Sequence, residues 1–280
     1  MSLSKKEGVT QSQKLMVFVL SMSLFGLATL ISELIPEFKV GIVEFSVEYF
    51  LFIPLTLAML FDPLSAAIGA ATGELVFSEI MLGQFGGLGE LEKFITVVIG
   101  VYIAGRMVKN PKNRAMVGFA SILGVTLQQA MGTIVDILKV QVAISDFEAV
   151  PGLPESVFAT EIFACVNDIL FSGILFCMLP TLFLVPKLYG KIEPLLGMKP
   201  RMVDMSLGTS ISPKIFITSI IFFGIAIGAE FMAESGTSLI DWEASWAESN
   251  QALITGIIVA AVVAGIAIMW TIRNARLRAD

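Results

Sequence analysis

Eight apolar runs, each about the length needed to cross a bilayer, are strung along this chain. They cover residues 15–35, 45–61, 64–82, 91–108, 115–138, 157–185, 215–232 and 252–272. About 20 residues of helix cross a hydrocarbon core roughly 30 Å thick, and the runs at 45–61 and 91–108 are the shortest. Backbone polar groups facing lipid must be bonded within their own segment, so the runs read as helices. The remaining composition agrees. Hydrophobic residues make up 56% and charged residues 15% of the 280, against about 45–50% and about 25% in soluble domains. That surplus of apolar surface is too large for one globular core and belongs against lipid. The expected fold class is therefore all-α transmembrane, with about eight spans.

The charges sort by loop. Lys5, Lys6 and Lys14, then Arg106, Lys109, Lys112 and Arg114, then Lys187, Lys191, Lys199, Arg201 and Lys214, then Arg273, Arg276 and Arg278 fall on one side of an eight-span arrangement. The opposite loops hold only Lys39, Lys93 and Lys139 among acidic neighbours such as Glu37, Glu90, Asp146 and Glu243. Basic loops stay in the cytoplasm, which predicts a multi-pass protein of the cell membrane with both termini inside. The first run follows three lysines and lacks a small-x-small cleavage site, so it reads as the first membrane helix.

Asp62-Pro63 is a stop-and-restart signal that predicts a reversal within two or three residues between the second and third runs. A longer basic, proline-containing stretch at 189–214 separates a six-helix unit, residues 1–190, from residues 191–280, a linker and two further helices. The absence of histidine removes His-based zinc, haem and Ser-His chemistry. No Walker-type loop is present, no cofactor or metal is expected, and the Gly-rich 84–89 segment lacks the strand-then-helix context of a phosphate loop. That segment reads equally as a lid or a simple turn. Cys165 and Cys177 fall on one expected helix, about 18 Å apart, too far for a disulfide.

Polar residues inside apolar runs are where chemistry is to be sought. Glu74 follows the small-residue stretch Ser65-Ala-Ala-Ile-Gly-Ala-Ala-Thr-Gly73, whose composition suits close helix packing. Asp168, beside Asn167, reaches similar depth, as do Gln128 and Gln129; Glu79, Asp136 and Glu161 lie nearer the acidic side. Gln129, Thr133 and Asp136 share one helix face, as do Glu161, Cys165 and Asp168. Three uses are open for these groups: helix-to-helix hydrogen bonding, lining of an outward-facing ligand chamber, or an ion or proton relay. The candidate ligand-facing set is Glu74, Gln129, Asp136, Asn167, Asp168 and Glu161, with Glu48 and Tyr49 added from the connection before the second helix. No Lys or Arg is placed deep in this set, so the ligand class is neutral or cationic, and nucleic acid is not expected. Asp136 and Asp168 lack the Gly-x-Gly-Asp element of intramembrane aspartyl proteases, and Asn167-Asp168 lacks the second acid of a prenyltransferase motif, so enzyme readings are set aside.

The segment Leu51-Phe-Ile-Pro-Leu-Thr-Leu-Ala-Met-Leu-Phe-Asp-Pro-Leu-Ser-Ala-Ala-Ile-Gly-Ala-Ala-Thr-Gly-Glu-Leu75, followed by Phe94-Ile-Thr-Val-Val-Ile-Gly-Val-Tyr-Ile-Ala-Gly105, resembles the substrate-binding S components of energy-coupling factor (ECF) transporters. The resemblance covers residues 14–190. It implies a six-helix bundle that captures a vitamin-like micronutrient from outside and docks on a transmembrane T component driven by ATPase subunits. The family's Ala-x-x-x-Ala docking motif has as its nearest match Ala28-x-x-x-Ser32 and the cluster of Ser23, Gly26 and Ala28. The last two runs depart from the six-helix pattern. Ala260-x-x-x-Ala264 and Ala261-x-x-x-Gly265 give the eighth a packing face. A carrier working alone on intramembrane carboxylates and an assembly protein without ligand are the competing expectations.

Overall fold

In the computed structural model, the described residues are 9–33, 35, 38–40, 42–45, 47, 50–147, 149–201, 212–236, 258 and 262. Helix α1 (Gln11–Ser32) opens with a capping box, in which the Thr10 hydroxyl accepts from the Gln13 backbone and the Gln13 amide oxygen accepts from the Thr10 N–H. A two-stranded antiparallel hairpin follows, β1 (Phe38–Val40) and β2 (Val43–Phe45), in the register Phe38 to Phe45. Helices α2 (Phe52–Leu60), α3 (Pro63–Glu74), α4 (Glu90–Met107) and α5 (Arg114–Gln141) succeed it. Then come α6 (Val157–Asp168) and α7 (Leu179–Leu188), joined without a break by a π-helical run, Ile169–Met178. Helix α8 (Pro213–Glu234) is the last that is described.

Four of these helices are long and apolar enough to span a membrane: Gln11–Ser32, Arg114–Gln141, Val157–Leu188 and Pro213–Glu234. They carry broad apolar faces: Phe216, Ile217, Ile220 and Ile221 on α8 are more than half exposed. An aqueous protein does not present such a surface, so the chain has the marks of an integral membrane protein. Among the described residues there are four such helices, not eight. The run at 45–61 forms a helix of only nine residues, α2, which at 1.5 Å per residue is about 14 Å long, less than half a bilayer. Its first part is spent on β2 and the connection to Leu51. Helix α4 has 18 residues but carries Glu90, Glu92, Lys93 and Arg106 at its ends. The run at 252–272, with its small-residue face, lies outside the described residues apart from Ile258 and Val262.

Helices α2 and α3 reverse as the sequence predicts. The Asp62 carboxylate caps α3 by accepting from Ser65 N at 2.9 Å and from Ser65 Oγ at 2.7 Å, with Pro63 at the first helical position. The small residues of α3 then let α1 lie directly on it, the most extensive helix pair among the described residues. A Cβ on Gly73 would overlap the Met22 carbonyl oxygen, and one on Gly69 would overlap that of Phe18. Ser21 Oγ donates to the Ala66 carbonyl across this seam at 2.7 Å. The α4–α5 contact uses the same device at Gly100, where a Cβ would stand 2.6 Å from the Gly124 oxygen.

Arg201 closes the basic end of the bundle. Its guanidinium, 5% exposed, donates to the carbonyls of Ala58 and Phe61 at the end of α2 and of Gly105 and Val108 at the end of α4. The last carbonyls of a helix lack partners within it and carry the negative end of the helix dipole, so one cation satisfies two termini together. Burial pulls the guanidinium down from its ordinary value to about 10, and it remains charged at neutral pH. The Tyr189 hydroxyl donates to the Arg201 carbonyl and fixes the residue from behind.

Helix α8 is not detached from the preceding helices. It packs on α4, on α5 and on the short 3-10 turn Gly87–Gly89. Lys139 of α5 reaches Glu230 at 3.0 Å and Glu234 at 3.8 Å on α8, and Asp136 on its own helix at 3.1 Å.

Candidate acidic site at the end of α3

Helix α3 does not stop at Glu74; it continues as a π-helix, Leu75–Ile80. In an α-helix, residues five apart point about 140° away from each other. In the i→i+5 bonding of a π-helix they come into line, so Glu74 and Glu79 turn to one side. Glu79 is 6% exposed, and both residues line a cavity of about 10 Å³ with Ala71, Leu75, Glu90, Lys93 and Phe94. That space admits about one water molecule.

The cavity is charged and only partly satisfied. Lys93 Nζ donates to Glu79 Oε1 at 3.1 Å and stands 3.5 Å from Glu90 Oε2. Glu90 Oε1 accepts from Gly86 N at 3.2 Å, which ties the 84–89 connection down to the head of α4. The Oε2 atoms of Glu74 and Glu90 are shielded from solvent and accept no hydrogen bond. Three carboxylates therefore face one ammonium, and two of their oxygens retain acceptor capacity toward the space between them.

The expected site residues divide among separate places. Glu74 belongs to this cavity. Asp136 is half-exposed and ion-pairs with Lys139 in the α5–α8 network. Asn167 donates to Asp168 Oδ1 at 3.5 Å and lines a second cavity of about 300 Å³, with Val43 of β2 and Val166, Leu170 and Phe171. Gln129, Glu161 and Asp168 are half-buried on α5 and α6. Glu48 and Tyr49 lie outside the described residues. Like Glu74, Asp168 is the last residue before a π-helical run. The largest of these cavities, about 590 Å³ between α3, α4 and α8, is lined by apolar side chains such as Ile68, Phe94, Ile99 and Phe222, with Tyr102 and Lys214 among them.

Sequence reading passed over Lys93, Glu90 and Glu230 as partners. A signal was available: Lys93 and Lys139, lysines on the acidic side of the charge pattern, sit inside carboxylate clusters. Of the small residues of α1, Gly26 packs against Gly73 and Phe77 of the third helix and its extension.

Residues 16–280 match the profile of a family of unknown function, DUF8171. The chain belongs to that family. No curated protein and no solved structure matches it. Among the described residues, no group of three or more Cys, Asp or Glu is arranged to hold a metal ion.

Proposed function

We propose that this chain is the membrane-embedded solute-binding subunit of an uptake transporter. It takes a small neutral or cationic micronutrient from outside and depends on a separate transmembrane partner and ATPase module for turnover. The observation that carries this reading is Glu74 Oε2, a shielded carboxylate oxygen that accepts no hydrogen bond, held beside the Lys93-paired Glu79 and Glu90 around a cavity at the acidic end of the bundle. Buried carboxylate oxygens without donors are costly at bilayer depth, and their retention is explained by a ligand or ion that supplies the donors. The resemblance to ECF S components through Leu51–Leu75 and Phe94–Gly105 agrees with this assignment. So does the packing of the small-residue helix on α1. In this proposal the protein lies in the cell membrane with about eight crossings and both termini in the cytoplasm, the acidic end outside, and it performs no catalysis.

The ligand class follows from the lining. Carboxylates attract amines and cationic heterocycles and repel anions, so an amine-bearing vitamin-like compound is the expected cargo. A screen of such compounds against the thermal stability of the purified chain tests the reading. At least one should stabilise the unaltered protein and lose its effect when Glu74 is replaced by Gln. If none stabilises it, the capture role fails.

A second reading, a carrier acting alone by ion or proton coupling, is favoured by the small size of the Glu74 cavity. It requires uptake into vesicles holding this chain alone and abolition of that uptake by Glu74→Gln.

A further inference from the structure

We propose that the Lys93 ammonium is a built-in occupant of the acidic cavity, and that the cavity's ligand is a primary ammonium group that takes its place. The inference rests on the solute-binding reading of the same site and narrows it to one headgroup. The geometry is that of a ligand already seated. Lys93 of α4 enters a space walled on one side by α3 and its π-helical extension and on the other by Glu90 and Phe94 of its own helix. There its Nζ is 3.1 Å from Glu79 Oε1 and 3.5 Å from Glu90 Oε2. The two carboxylates it meets are each 8% exposed in their side chains, whereas the Lys93 side chain is 53% exposed along its length. A flexible stem that runs through solvent to a buried acidic pocket can withdraw without unpacking the core. The carboxylates cannot follow it, because Glu79 is fixed on the π-helix and Glu90 is held by Gly86 N.

The pocket is also under-filled by its present occupant. An ammonium has three protons to donate, but Lys93 makes one hydrogen bond at the site, to Glu79. Glu90, 6% exposed, keeps an Oε2 that is ion-paired with Lys93 but accepts no hydrogen bond, and Glu74 Oε2, in the same lining, accepts none either. A free primary ammonium, not tethered to α4, can move deeper and donate to all three carboxylates. Lys93 then lowers the apparent affinity by holding the site in its occupied form, and removing it lifts that competition.

Chemical rescue provides the test. In purified Lys93→Ala protein, methylammonium should raise the thermal midpoint saturably, where equal concentrations of sodium or tetramethylammonium do not. It should bind at least about tenfold more tightly than to the unaltered chain. In Lys93→Ala combined with Glu79→Gln the rescue should disappear. Should the alanine variant not fold, Lys93→Met keeps the aliphatic stem and carries the same comparison. Equal stabilisation by methylammonium and sodium, or rescue that survives the loss of Glu79, overturns the proposal. The micronutrient screen on the unaltered chain is a separate measurement, so failure of capture and failure of ammonium recognition are told apart.

Discussion

Glu74 and Glu79 face one cavity although they are five residues apart on a single helix. The cause is the π-helical run Leu75–Ile80, which begins immediately after Glu74 and brings i and i+5 into line. Inserting one alanine after Val76 sets Glu79 six residues from Glu74, which on an α-helix turns it about 120° away from Glu74 and the cavity. The variant should remain folded by circular dichroism but lose ligand-induced stabilisation. Retention of that stabilisation would show that the π turn does not set the site.

The α1–α3 seam makes a packing prediction. Gly73→Ala places a methyl group on the Met22 carbonyl, and overpacking of this kind costs about 1–3 kcal/mol. Gly224→Ala on α8 meets no atom within 4 Å and should be neutral or stabilising by up to about 1 kcal/mol through helix propensity. Thermal or denaturant unfolding of the two variants in the same detergent checks the contrast.

Arg201 should be the most sensitive position at the basic end. Arg201→Leu removes four charge-assisted hydrogen bonds to the ends of α2 and α4, for a loss of about 2–4 kcal/mol. Arg201→Lys should recover less than half, because a single ammonium lacks the planar fork that reaches both helices. Full stability in the lysine variant would mean that charge alone, without the fork, holds this end.

The α5–α8 network calls for a double-mutant cycle. Lys139→Met leaves Glu230 and Asp136 facing each other without their cation and should destabilise by about 1–3 kcal/mol. Adding Glu230→Gln should return part of that loss. Strict additivity of the two substitutions would indicate no coupling between α5 and α8 through this pair.

Much of the architecture was legible because it follows from coarse forces. Apolar runs marked the long helices α1, α5, the α6–α7 unit and α8, and the Asp62-Pro63 signal marked the reversal into α3. The glycines at 69 and 73 announced a close neighbour without saying which helix it was. Other features depend on information that periodicity does not hold. A helix wheel drawn at 100° per residue separates Glu74 from Glu79, so the π turn hid their shared face. Arg201 looks like one more cation in a basic loop, and only the meeting of two distant helix ends makes it a buried clamp. The run at 45–61 has the hydropathy of a span, yet residues 43–45 pair with 38–40 and shorten the helix to Phe52–Leu60. Periodicity also does not show that Asp136 shares Lys139 with Glu230 of α8 while Glu74 faces the Lys93 cavity.

The capture role depends on the unmet Glu74 carboxylate oxygen, beside the Lys93-paired Glu90, being an acceptor for a bound solute. Calorimetric titration of the purified chain with the amine-bearing compound that most raises its thermal midpoint measures this directly. The expected result is saturable binding at one site, weakened at least about tenfold in Glu74→Gln protein. Binding of undiminished affinity in that variant would contradict the account.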